Sequence, residues 1–154
     1  MSKAKIAYRH IIALVKRAAA GRARPNIRAP RDLHFVDQPG TDTAKEIPDG
    51  GYSLDLLGVE SLAAPIHPAY PTRMRFSYEL AIWYRASIGV NEMSEAMAED
   101  YVAIVKTLGN PDTWEQPTTG IIDLGYGEPM FVANVDAIDG GRVLKIPINC
   151  EVDV

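Results

Sequence analysis

The side chains that most often carry chemistry are few here and poorly spaced for it. His10, His34 and His67 are scattered, and none stands at ligand spacing from a cysteine, so structural or surface roles are expected. The single cysteine, Cys150, excludes an intrachain disulfide or a site built from several thiolates. It falls on the apolar side of an alternating pattern and reads as a small buried hydrophobe. A nucleophile needs a base beside it, and none stands in a recognisable frame. Glu95, Glu99 and Asp100 cluster carboxylates of the kind that acid–base or metal chemistry uses. On an amphipathic helix such a cluster reads instead as a solvated face. Gly125-Tyr126-Gly127 lacks the lysine and serine or threonine of a phosphate loop, and no helix pattern follows it. Trp114 sits in the polar stretch 110–119, with two readings: an exposed anchor for a partner, or an indole folded back onto a sheet. No catalytic residue, cofactor or metal is expected.

Charge is the stronger signal. The 154 residues carry 16 basic and 20 acidic side chains, net −4, but the two signs are separated. Residues 1–31 hold Lys3, Lys5, Arg9, Lys16, Arg17, Arg22, Arg24, Arg28 and Arg31 and no acid; the rest holds seven basic residues against all twenty acids. Such asymmetry marks a basic segment that meets something acidic. The segment has four readings: contact with nucleic acid, docking on an acidic subunit such as a second copy, an organelle transit peptide, or a solvated helix face with a mobile arm. No secretory signal is expected, because no apolar core follows the basic start. Apolar runs such as 11–15 and 80–84 fall far short of the ~18 residues a membrane span needs.

The elements that would position these residues follow from periodicity. Ala7, Ile11, Leu14 and Ala18 repeat at 4, 3 and 4, with Lys5, Arg9 and Lys16 opposite, predicting a basic amphipathic helix over 3–20 capped by Ser2 and stopped at Gly21. Residues 22–71 hold seven of the eleven prolines, which remove backbone donors and break long elements. An extended arm or a long loop-and-hairpin insertion is preferred to disorder there, because Leu54, Leu56, Leu57, Leu62 and Ile66 are too apolar for a solvated linker; short strands are expected at 33–36 and 52–57. Residues 72–87 alternate Met74, Phe76, Tyr78, Leu80, Ile82 and Tyr84 against a face that turns apolar at Ala81 and Trp83, predicting a long strand whose second face is partly covered. Residues 92–108 form a second helix, with Met93, Met97, Tyr101, Ile104, Val105 and Leu108 inward, Asn91 as cap and Gly109 as stop. Strands are expected at 120–124, 130–138 and 143–154, the last two joined at Asp139-Gly140-Gly141-Arg142, with Pro147 marking an edge or a bulge. The result is one α+β domain over 1–154: a basic helix (1–21), a Pro-rich extended region (22–71), and a strand–helix–hairpin core (72–154) with a largely antiparallel sheet packed by two helices.

This arrangement resembles the tail terminator proteins of long-tailed bacteriophages and gene-transfer particles. The likeness lies in the opening amphipathic helix, the strand from Arg73 to Tyr84, the acid-rich helix closed by Gly109-Asn110-Pro111, and a hairpin ending in Lys145-Ile146-Pro147-Ile148-Asn149-Cys150-Glu151-Val152. It implies a structural virion subunit with no catalysis, assembled in the host cytoplasm and residing at the tail–neck junction. Such a subunit forms a homo-hexameric ring on the tail tube protein and presents a surface to a neck or head-completion protein. DNA passes through the lumen without its sequence being read. Neighbouring neck and completion proteins share this texture and remain alternatives. The residues expected at subunit or partner interfaces are Arg9, Lys16, Arg17, Arg22, Arg24, Arg28, Arg31, Trp83 and Trp114. Opposite charge within one chain suits a heterologous interface, in which one surface meets a different surface on the next copy.

Overall fold

The computed structural model describes residues 2–19, 34–36, 50–62, 73–85, 89–115, 118–133 and 140–153. In chain order these form α1 (Lys3–Ala19), β1 (His34–Phe35), β2 (Gly51–Ser61), β3 (Arg73–Tyr84), α2 (Val90–Leu108), a 3-10 turn at Pro111–Thr113, β4 (Ile121–Tyr126), β5 (Met130–Ala133) and β6 (Arg142–Asp153). One sheet runs β1-β2-β3-β6-β4, with β5 beside β6 in line with β4. Every pairing is antiparallel except β1 with β2. The expected α+β class therefore stands: two helices against a largely antiparallel sheet.

Both helices form because their apolar residues fall on one face. Ala7, Ile11, Leu14 and Val15 of α1 are buried, as are Met93, Ala96, Met97, Ile104 and Leu108 of α2. The Ser2 hydroxyl accepts from the Lys5 amide at 3.3 Å, as a first-turn cap does. For α2 the expected cap is displaced. Gly89, at φ 100°, takes the N-cap position, the helix opens at Val90, and no side chain caps it. A left-handed backbone there suits glycine alone, so Gly89 fixes the start before Asn91 can. The other end is closed by side chains: the Trp114 indole N–H donates to Leu108 O at 2.9 Å and Thr113 Oγ1 to Thr107 O at 2.8 Å, supplying carbonyls that a helix end leaves orphaned.

The sheet follows its two-residue period. Tyr78, Leu80, Ile82 and Tyr84 of β3, and Leu144, Ile146, Ile148, Cys150 and Val152 of β6, point to the helices and make the core. Three phenols stitch the layers: Tyr8 Oη donates to Leu54 O (3.0 Å), Tyr52 Oη to Ile12 O (2.9 Å) and Tyr84 Oη to Asp100 Oδ2 (2.7 Å).

Two expectations about strands need correction. The region read as extended contains β2, eleven residues long, where a six-residue strand was expected. Its alternation is broken at Leu56-Leu57-Gly58 because the ladder to β3 bulges there, resuming with Gly58 opposite Ser77. Pro147 does not mark an edge: β6 lies between β3 and β4–β5. Its carbonyl accepts from the Gly127 amide at 2.9 Å, in the gap between β4 and β5. A residue's N–H and C=O leave a strand on the same side, so the donor that proline lacks faces a place where no ladder partner is required.

Candidate functional site

Among the described residues, those named from sequence as interface do not form one site. Arg9, Lys16 and Arg17 lie exposed on α1, a helix with no acidic residue. Arg22, Arg24, Arg28 and Arg31 lie outside the described residues. Trp83 is half-buried on the sheet face turned away from the helices, beside buried Ala81 and Val143, so the expected partial cover of that face is present. Trp114 is a correction: at 5% exposure it belongs to the core, and its only polar atom is spent on α2. Of its two readings the anchor fails. A loop that closes a helix end must satisfy carbonyls, and the indole is the donor used.

The other chemistry-bearing side chains are also committed to structure. His10 Nε2 stands 2.8 Å from Thr113 O, the proton on that nitrogen. The side chain of His34, and His67 altogether, lie outside the described residues. Cys150 is fully buried, and its thiol is pushed up to about 12 by burial first and by Asp123 and Glu151 second, which keeps it a neutral hydrophobe at ordinary pH. Asp100 is fully buried, not part of a solvated face, and accepts from Tyr84. Positions 93, 97, 100 and 104 continue one 4-3-4 stripe, so spacing placed it inward although residue type argued otherwise.

The open face of the sheet carries a polar depression of about 450 Å³. It is lined by Glu60, Arg75, Ser77, Asp123, Gly125, Tyr126, Asn149 and Glu151. Cross-strand register builds it: Glu60, Arg75, Glu151 and Asp123 stand side by side on β2, β3, β6 and β4. Arg75 meets Glu151 at 2.8 Å and Glu60 at 3.4 Å. The hydrogen bond to Glu151 is the largest cause that holds its guanidinium more firmly protonated. Ser77 Oγ donates to Asn149 Oδ1 at 3.2 Å. Arg75 is the one base among three carboxylates, so the row stays acidic. Among the described residues no group of three His, Cys, Asp or Glu side chains is placed to hold a metal ion, and no helix is long and apolar enough to cross a membrane.

What sequence reasoning missed lies at the sheet's margins. Of the eight large apolar side chains that are exposed among the described residues, seven sit on the outer strands: Phe35 on β1, Leu56, Leu57 and Val59 on β2, Tyr126 on β4, and Met130 and Phe131 on β5. The eighth, Val102, is on α2. No local pattern reveals this, because an edge is defined only once strand order is known. No protein-family model matches the sequence, and no curated protein matches it.

Proposed function

We propose that the chain is a structural subunit of a phage-like tail: a ring at its head-proximal end that caps the tail tube and joins it to the neck. The observation that carries this reading is the segregation of exposed apolar side chains to the two margins of one sheet. Apolar surface set on strand edges marks association, since bare edges pair with other strands. Two further features support it. The element order suits the tail-terminator resemblance, and the open face is an acidic row held in place by Arg75, which pairs with Glu60 and Glu151, and by Ser77 with Asn149. Other connector or completion proteins of the neck fit the same observation.

The test is polymerisation of candidate tail tube protein with and without this chain, followed by electron microscopy. Tubes of limited length, each ending in an added ring, are expected. Tubes that grow unchanged and bear no added ring refute the reading.

A second reading has its own observation: α1 presents Lys5, Arg9, Lys16 and Arg17 outward with no acid among them. That stripe suits nucleic-acid phosphates. It predicts duplex binding that weakens steeply with salt, and flat salt dependence refutes it.

A further inference from the structure

The two margins of the sheet are complementary in direction and in the side on which they carry apolar groups. β1 pairs β2 only at Gly51 and Tyr52. From Ser53 to Ser61 the outer edge of β2 has no strand beside it among the described residues. The opposite margin is β4 followed by β5, both bonded to β6 on their inner side, with no described strand beyond them. β2 runs antiparallel to β3, β3 to β6, and β6 to β4 and β5. Three reversals leave β2 pointing opposite to β4 and β5.

A second copy rotated about an axis along the strands keeps these directions, and it keeps its helices on the same side. Its β4–β5 margin then meets the β2 margin of the first copy antiparallel, the more stable ladder. The side chains agree. Leu56 and Val59 register with Tyr78 and Phe76, which face the helices. Tyr126 and Phe131 register with Ile148 and Leu144, which face them too. All four outer side chains are 42% exposed or more. Joined level, Tyr126 comes beside Leu56, while Phe131, level with Tyr52, comes beside the exposed Phe35 of β1, which flanks β2 there; the apolar layer then extends from copy to copy on one side. The charged residues of the same strands, Asp55, Glu60 and Asp123, register with Glu79, Arg75 and Glu151 on the other side, clear of that layer.

We infer that copies of this chain join edge to edge, the β2 margin of one against the β4–β5 margin of the next, so that a single antiparallel sheet continues through the assembly. This deepens the ring proposed above and rests on it. The contact is heterologous, and heterologous contacts close into rings when the rotation per copy divides a full turn.

Two margin variants test it, Leu56→Lys/Val59→Lys and Tyr126→Lys/Phe131→Lys; lysine on an edge strand is a natural block to pairing. Sedimentation velocity across a range of concentrations should show a closed oligomer for the native chain and a monomer for each variant. An equimolar mixture of the two should form a heterodimer and stop there, because each copy keeps one competent margin. Four results overturn the joint: a native chain that stays monomeric, variants that assemble as the native chain does, a β4–β5 variant that dimerises alone through β2, or a mixture that stays monomeric. Hydrogen exchange on the native chain does not depend on the variants folding. Amides of 53–61 and 121–133 should exchange at least tenfold more slowly in the oligomer, and unchanged exchange there also overturns it. Variants that still assemble and cap tubes remove the joint and leave the function standing. Margin-dependent rings that leave tube growth unchanged do the reverse.

Discussion

Replacing Trp114 with phenylalanine separates a core tryptophan from a partner anchor. The indole N–H donates to Leu108 O at 2.9 Å, and the side chain is 5% exposed. Phenylalanine removes the donor and leaves a helix-terminal carbonyl buried without its partner, at a cost of about 1–3 kcal/mol. It also removes one ring from a packed site; full truncation of a buried aromatic costs ~3–5 kcal/mol, and the smaller change about 1–2 kcal/mol. The expected sum is about 2–5 kcal/mol, a large part of the ~5–15 kcal/mol that holds a domain together. Urea unfolding followed by far-ultraviolet circular dichroism measures it; with a slope of ~2 kcal/mol per molar, the midpoint should fall by about 1–2.5 M at unchanged slope. Oligomer mass below the transition should match that of the native chain. A loss under about 0.5 kcal/mol, or a loss of assembly at full stability, refutes the placement of Trp114.

Three further substitutions and conditions have signed outcomes. Tyr84→Phe takes the 2.7 Å donor from fully buried Asp100 and should cost about 1–3 kcal/mol in the same urea assay, whereas Tyr126→Phe, half-exposed, should cost under ~0.5 kcal/mol. Ser53 Oγ is buried without a hydrogen-bond partner among the described residues, so Ser53→Ala should leave stability unchanged or raise it by about 1 kcal/mol; a loss above ~1 kcal/mol would reveal a partner. Burial raises the Cys150 thiol from its ordinary 9 to about 12, and the Tyr52 phenol from 10 to about 12. Both are neutral when protonated, so their contribution is complete below pH 9 and is lost as pH climbs toward 12. Thermal midpoints should therefore decline above pH 9, with the onset shifted upward in Cys150→Ala. A midpoint flat to pH 11 would contradict this.

The parts of the fold that sequence revealed are those whose burial repeats locally. β3 and β6 alternate for twelve residues each, and both helices place apolar groups three and four apart, so their existence and inward faces were readable. The opening of α2 was not, because Gly89 at positive φ sets it instead of Asn91, two residues further on. β2 was read short because proline density around it weighs against strands and its bulge interrupts alternation at Leu57. Residue type argues Asp100 outward, whereas its position in the 93-97-100-104 stripe buries it. Local rules read Pro147 as an edge or a bulge because they assume a full ladder on both sides of a central strand, and the gap between β4 and β5 removes that requirement. The charge separation was visible in the chain, but only coordinates show that α1 carries its exposed basic stripe in one layer while an acidic row crosses the open sheet in the other. Arg22, Arg24, Arg28 and Arg31 lie outside the described residues.

The position of β6 has a consequence for how the polypeptide is made. It joins β3, β4 and β5, and it follows all three in the chain. During synthesis at ~5–20 residues per second, the roughly 100 residues from β2 to the end of β6 take about 5–20 s to appear. Once made, β3 pairs on one flank only, and β4 and β5 have no ladder to join, until β6 emerges. Ribosome-bound nascent chains halted before residue 142 should thus remain protease-sensitive, and the native sheet closes only after translation has passed it.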